Sequence, residues 1–140
     1  MRVLRHRGGT TPLVLFEDER TVAFLDNTAV MEGHTLVIPK HHAADIWAVS
    51  EDDAAAVMRT VHRMAGVLQG VLEADGMTLF QANRPAGWQD VFHLHVHLVL
   101  RRDADHLHAP GTWTAPIRPR WRGPAAASSG RRERGPPRPR

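Results

Sequence analysis

Three histidines, His93, His95 and His97, alternate with Leu94, Val96 and Leu98 in the segment from Phe92 to Val99. Side chains of an extended chain point alternately to its two faces, so the three imidazoles share one face and the three aliphatic residues line the other, toward a core. Neighbouring imidazoles repel when protonated and need partners when neutral, so stability alone does not select such a row. Three readings follow. The row is a solvated stripe on an exposed sheet face; or it is a metal site, a His-x-His pair completed by Asp90 or His34; or one neutral imidazole attacks phosphorus while its neighbours stabilise charge on the phosphoryl oxygens. The third reading finds all its parts on one strand.

The elements that must position this row are legible around it. Leu13 to Phe16 and Thr21 to Leu25 are β-rich runs joined by the acidic turn Glu17–Arg20, a hairpin pattern. A third strand is expected from His34 to Pro39, which ends it. Ser50, followed by Glu51, Asp52 and Asp53, has the form of a helix start with a hydroxyl cap and acids in the first turn. Val57, Met58, Val61, Met64, Ala65, Leu68, Val71 and Leu72 then recur at helical spacing, and the pattern stops near Asp75-Gly76. A fourth strand is expected over 77–82 and a fifth over 91–100. This pattern predicts an α+β domain: an antiparallel sheet of about five strands with one long helix packed on a face.

Composition narrows the chemistry. The 140 residues include ten histidines, one lysine (Lys40) and no cysteine, so thiolate catalysis, disulfides and cysteine-based metal sites are excluded for this sequence. No apolar run has the length of a signal peptide or membrane span, and a cytoplasmic protein is expected. Charge is unevenly placed. Residues 118–140 carry eight arginines and one acid, a net +7, whereas the preceding 117 residues carry a net −4. The chain therefore divides into a domain over 1–113 and an Arg/Pro-rich tail over 114–140, expected to be disordered because it has little apolar area to bury. A weak polyanion contact by the tail, and with it a nucleotide- or RNA-binding module in place of an enzyme, is the alternative function.

The row of histidines does not stand alone. Gly33-His-Thr-Leu-Val-Ile-Pro-Lys40, Phe24-Leu-Asp26, Asn83 and Gln89 accompany it in order. With these, the chain resembles the histidine-triad (HIT) family of nucleotide hydrolases and transferases over about residues 8–102. The resemblance implies that His95 is the nucleophile, its tautomer fixed by a backbone carbonyl, with His93 and His97 beside it and His97 donating to an α-phosphate oxygen. It further implies that His34 supports the triad from the adjacent strand, that Asp26 accepts the ribose hydroxyls, and that Asn83 and Gln89 hold the phosphates. The implied reaction is hydrolysis or nucleotidyl transfer at the α-phosphate of a purine nucleotide conjugate, a nucleoside phosphoramidate or a dinucleoside polyphosphate, through a nucleotidyl-histidine. It needs no metal or other cofactor, and the implied assembly is a homodimer.

Some positions depart from the family pattern. Many relatives begin with Cys-x-x-Cys, which this chain lacks, so no zinc-stabilised start is expected. Asp90 stands where some relatives carry Ser or Thr near the leaving group, and the usual proline after the triad is replaced by the run Val99-Leu-Arg101. Trp88 is expected either to stack on a base or to pack. Leu25, Phe16 and Ile38 are the apolar candidates for a base pocket, and Lys40, His41 and His42 are expected at the surface.

Overall fold

The computed structural model describes residues 12–27, 31–105 and 107. The expected tail over 114–140 and the end of the expected domain lie outside these residues. All described residues but Leu107 belong to one compact unit, Met1–His106. Its strands are β1 (Val14–Glu17), β2 (Thr21–Leu25), β3 (Thr35–Pro39), β4 (Gly76–Phe80) and β5 (Val96–Arg101), and its helix is α1 (Glu51–Leu72). They form an antiparallel five-stranded sheet in the order β1-β2-β3-β5-β4. The α+β architecture expected from the sequence is the one observed. No helix among the described residues is long and apolar enough to cross a membrane.

Helix α1 begins as its sequence dictates. The Ser50 hydroxyl accepts the Asp53 backbone N–H at 3.1 Å, satisfying one orphan donor of the first turn. Asp53 is buried, and its carboxylate takes bonds from Arg20 at 2.9 Å and from His41 at 3.2 Å, which ties the helix start to the β1–β2 turn and to the segment after β3. Nearby, the buried hydroxyls of Thr21 and Thr60 meet at 2.7 Å. The helix ends at Leu72, three residues before the expected stop. Glu73 closes it in the left-handed conformation (φ 47°, ψ 46°), and the Arg102 guanidinium covers the Leu72 and Glu73 carbonyls.

One face of the sheet packs on α1. Ala23, Val37, Leu94, Val96, Leu98 and Leu100 meet Val57, Val61, Met64 and Leu68 in a single buried cluster. Burial of this kind stabilises by roughly 1.5–3 kcal/mol per large aliphatic side chain. The expected helical stripe is broader than the observed contact: Met58 and Val71 are exposed, since a straight helix presents only part of a wide stripe to a flat sheet. On the opposite face Val22 and Phe24 of β2 lie directly across from Ile38 and Leu36 of β3, forming a second buried cluster.

Gly33 precedes β3 with φ +74°, and a Cβ added there would stand 2.5 Å from Leu72 Cδ1 at the end of α1. Two expected boundaries shift. Strand β4 stops at Phe80, and just beyond it Gln81 and Asn83 pair their side-chain amides with each other. Strand β5 starts at Val96, not at 91. The Leu94 N–H bonds the Ala43 carbonyl at 2.7 Å, so residues 91–95 are tied to the loop after β3 and join no ladder.

Candidate functional site

Alternation survives this shift. Leu94, Val96 and Leu98 are buried against α1, and His95 and His97 point to the other face. His95 is 6% exposed, and its Nδ1 lies 2.7 Å from the backbone carbonyl of His93. A carbonyl only accepts, so Nδ1 carries the proton and Nε2 of the neutral ring keeps its lone pair.

The His93 ring has a different task. Its Nε2 lies 2.8 Å from the Pro39 carbonyl and therefore donates, which leaves Nδ1 to accept from His42 Nδ1 at 3.2 Å. Both nitrogens are thus spent on the protein, and His93 meets His95 through its backbone carbonyl. Burial pushes the His93 imidazole below the usual histidine range, a displacement that the Pro39 bond opposes. The role of His42 was not legible in the sequence, where it reads as a surface residue after a strand; its side chain finds His93 only because the 91–95 segment folds back on Ala43.

His97 is held on three sides. Its Nδ1 lies 3.0 Å from His34 Nε2, its ring meets His95 edge-on with centroids 4.9 Å apart, and the ring of Phe80 lies flat on it at 4.0 Å. His34 in turn is 4% exposed. Its Nδ1 lies 3.4 Å from Asp26 Oδ2, longer than a regular hydrogen bond but close enough for a strong electrostatic contact. A chain Asp26–His34–His97 therefore runs from the end of β2 through β3 to β5. Burial lowers the pKa of His34 against the pull of Asp26. Burial, helped by His95 and His34, brings His97 down to about 4, while Asp26 and Asp90 act in the other direction. Both rings are neutral near pH 7.

Donor atoms of Asp26, His34 and His97 lie within 4.8 Å of one another. The separation is within a cation's reach, and the buried His34 Nδ1 makes no hydrogen bond to any described residue.

Asn83 and Gln89 lie apart from this chain in the bonding pattern. Gln89 is 4% exposed; its Oε1 accepts the Arg84 N–H, and its Nε2 donates to the carbonyls of Ala44 and Val91. Both amide hydrogens are used, so Gln89 pins the 84–91 loop. Asn83 Oδ1 accepts from the Ile46 backbone at 2.8 Å. The pinned loop contains Arg84 (φ 59°, ψ 164°) and Trp88 (φ 71°, ψ 20°), conformations that favour glycine. Asp45 binds Arg84 at 3.0 Å, and the Arg84 guanidinium stacks 4.5 Å over the Trp47 ring.

Of the apolar base-pocket candidates, Ile38 lies in the cluster on the face of His34 and His97, with Val22, Phe24 and Leu36. Phe16 packs toward the helix side, under Arg63. A register shift between Val14 and Phe16 turns its side chain. Leu25 is half-buried. Lys40 pairs with Glu17 at 2.7 Å and His41 with Asp53, away from the triad.

A family model described as the HIT domain matches residues 8–104. The chain is similar to an adenosine 5'-monophosphoramidase, HNT1, of Candida albicans, 31% identical over 69% of this chain and 66% of that protein. It is also similar to an adenylylsulfatase, HINT3, of Arabidopsis thaliana, 30% identical over 74% of this chain and 52% of that protein. Among solved structures, a HIT family protein from Bacillus anthracis superposes with a TM-score of 0.69 and 35% identity over 77% of this chain and 76% of that one. The matched regions span 52% to 78% of the length of such curated relatives.

Proposed function

Because this chain belongs to the HIT domain family, we propose that it cleaves nucleotide conjugates at the α-phosphate, with His95 Nε2 as the nucleophile. The observation that carries this reading is the contact between His95 Nδ1 and the His93 carbonyl, which fixes the tautomer with a lone pair on Nε2. The names of two relatives, a monophosphoramidase and an adenylylsulfatase, support chemistry on nucleotidyl conjugates.

In the proposed first step the Nε2–phosphorus bond forms as the bond to the leaving group breaks in line, and the leaving group takes a proton from solvent. In the second step water attacks the nucleotidyl-imidazole, its proton is taken up, and the nucleoside monophosphate leaves His95 free. We infer that neutral His97 Nε2 takes up that proton and releases it to solvent; the contact of His97 Nδ1 with His34, which faces Asp26, supports this role. Asp26 is proposed to take the ribose hydroxyls as well as to orient His34. Purine nucleoside phosphoramidates and dinucleoside polyphosphates are the proposed substrate classes; the cluster of Val22, Phe24, Leu36 and Ile38 supplies apolar surface on the same face as the chain. Asn83 and Gln89 support the phosphate end through the loop they hold.

We also propose a homodimer. Strand β4 is an edge of the sheet, and beside it Ile46, Met58 and Leu79 are exposed around an apolar hollow of about 260 Å³.

Intact-mass measurement during turnover of an adenosine phosphoramidate tests the mechanism. A species heavier by one adenylyl group on wild type, absent from His95→Asn, is the expected result. Normal turnover by His95→Asn overturns the reading.

A further inference from the structure

Phe80 is the last residue of β4 and stands opposite His97 in the β4–β5 ladder. The two rings are stacked, 4.0 Å apart and 8° from parallel. Phe80 itself is 36% exposed, so its ring stands between the imidazole and solvent. His34 stands 3.0 Å from Nδ1 of His97, and the ring of His95 meets it edge-on at 4.9 Å. The charged or titratable groups that act on it are His34 from the start of β3, His95 from the segment before β5, Asp26 from the end of β2, and Asp90 from the 84–91 loop.

We propose that Phe80 is a positioning residue: a cover that fixes the plane of His97, keeps water from one face of its ring, and so keeps its Nε2 ready to take the proton. The proposal rests on the function proposed above. Two effects of opposite sign meet at this contact. A stacked ring removes water from the imidazole, which disfavours the cation, and offers a π-face, which favours it. The attraction of a cation to a phenyl face at a partly exposed site is worth less than one pKa unit. Loss of hydration shifts buried groups by up to several units. Burial is the leading cause that brings His97 to about 4, and the Phe80 ring stacked at 4.0 Å contributes to that burial, so removing the ring is expected to raise the value. A leucine at position 80 covers the imidazole but cannot stack on it, which separates covering from orienting.

The test is an NMR titration of the His97 ring in the wild type, Phe80→Leu and Phe80→Ala, beside the pH profile of phosphoramidate turnover. The expected result is an upward displacement of the His97 midpoint by about one pH unit in Phe80→Ala and by less in Phe80→Leu. The acid limb of kcat follows the midpoint, and KM changes little. An unchanged or lowered midpoint in Phe80→Ala, with a dispersed amide spectrum showing that it folds, overturns the proposal. If Phe80→Ala does not fold, the same criterion is applied to Phe80→Leu. A midpoint that moves without the acid limb overturns the role in the reaction. Absence of turnover by the wild type at every pH defeats the proposed function instead, and the titration still decides whether Phe80 covers His97.

Discussion

Nδ1 of His95 lies 2.7 Å from the carbonyl oxygen of His93, two residues earlier in the chain. The bond is local, so the orientation of the ring depends on the backbone of residues 93–95 and not on a distant partner. That backbone is held by the Leu94 bond to Ala43 and by the His93 ring on Pro39. Replacing His95 by Asn removes the proposed nucleophile and leaves these ties intact. Turnover of an adenosine phosphoramidate should fall at least about a thousandfold with an unchanged melting temperature, measured by steady-state kinetics and calorimetry.

Acid should unfold the domain earlier than its carboxylates alone require. His34, His93 and His97 all have lowered pKa values, led in each case by burial. The unfolded chain therefore binds more protons than the folded one below about pH 6.5. Stability is complete above that value and declines as pH falls toward the His97 value of about 4. Urea unfolding at pH 7.5 and 5.0 should differ by about 2 kcal/mol, and His97→Asn should shrink the difference.

The exposed edge near Leu79 should join two copies. Light scattering on the purified chain is expected to give twice the monomer mass, and Leu79→Lys to give the monomer. A monomeric wild type at tens of micromolar excludes the dimer.

Ser50→Ala should cost about 1–2 kcal/mol in chemical denaturation. The hydroxyl both caps α1 and donates to Asp53 at 3.0 Å, so its loss also loosens the carboxylate that binds Arg20 and His41.

Glu73→Gly should stabilise. The left-handed backbone at this helix end is strained for glutamate and free for glycine, and the bonds made there by Gln69 and Arg102 use only main-chain atoms of residue 73. A gain of roughly 1 kcal/mol, seen as a melting temperature about 4–8 °C higher, is expected.

Local rules made much of this molecule legible. Ser50 announces its helix, and the alternation of histidine with Leu94, Val96 and Leu98 separates the chemical face from the packed one. What escaped depends on register or on contacts between distant segments. Phe16 turns because β1 slips against β2, a slip that no residue type there signals. Residues 91–95 look like strand by composition, yet the bond from Leu94 to Ala43 takes them out of the ladder. Asp26, His34 and His97 were each identifiable, but their joining into one chain follows from β2 and β5 both flanking β3. The amide of Gln89 bonds the carbonyls of Ala44 and Val91, partners that its residue type does not announce.

Gly33 seats the histidine that follows it. The missing side chain admits Leu72, so the far end of the helix rests on the residue beside His34. A methyl group at this position must displace either the leucine or the main chain, and a displaced main chain takes His34 away from its neighbour on β5. Damage at the helix terminus, some distance along the sequence from His34, is thereby transmitted to the contact between His34 and His97.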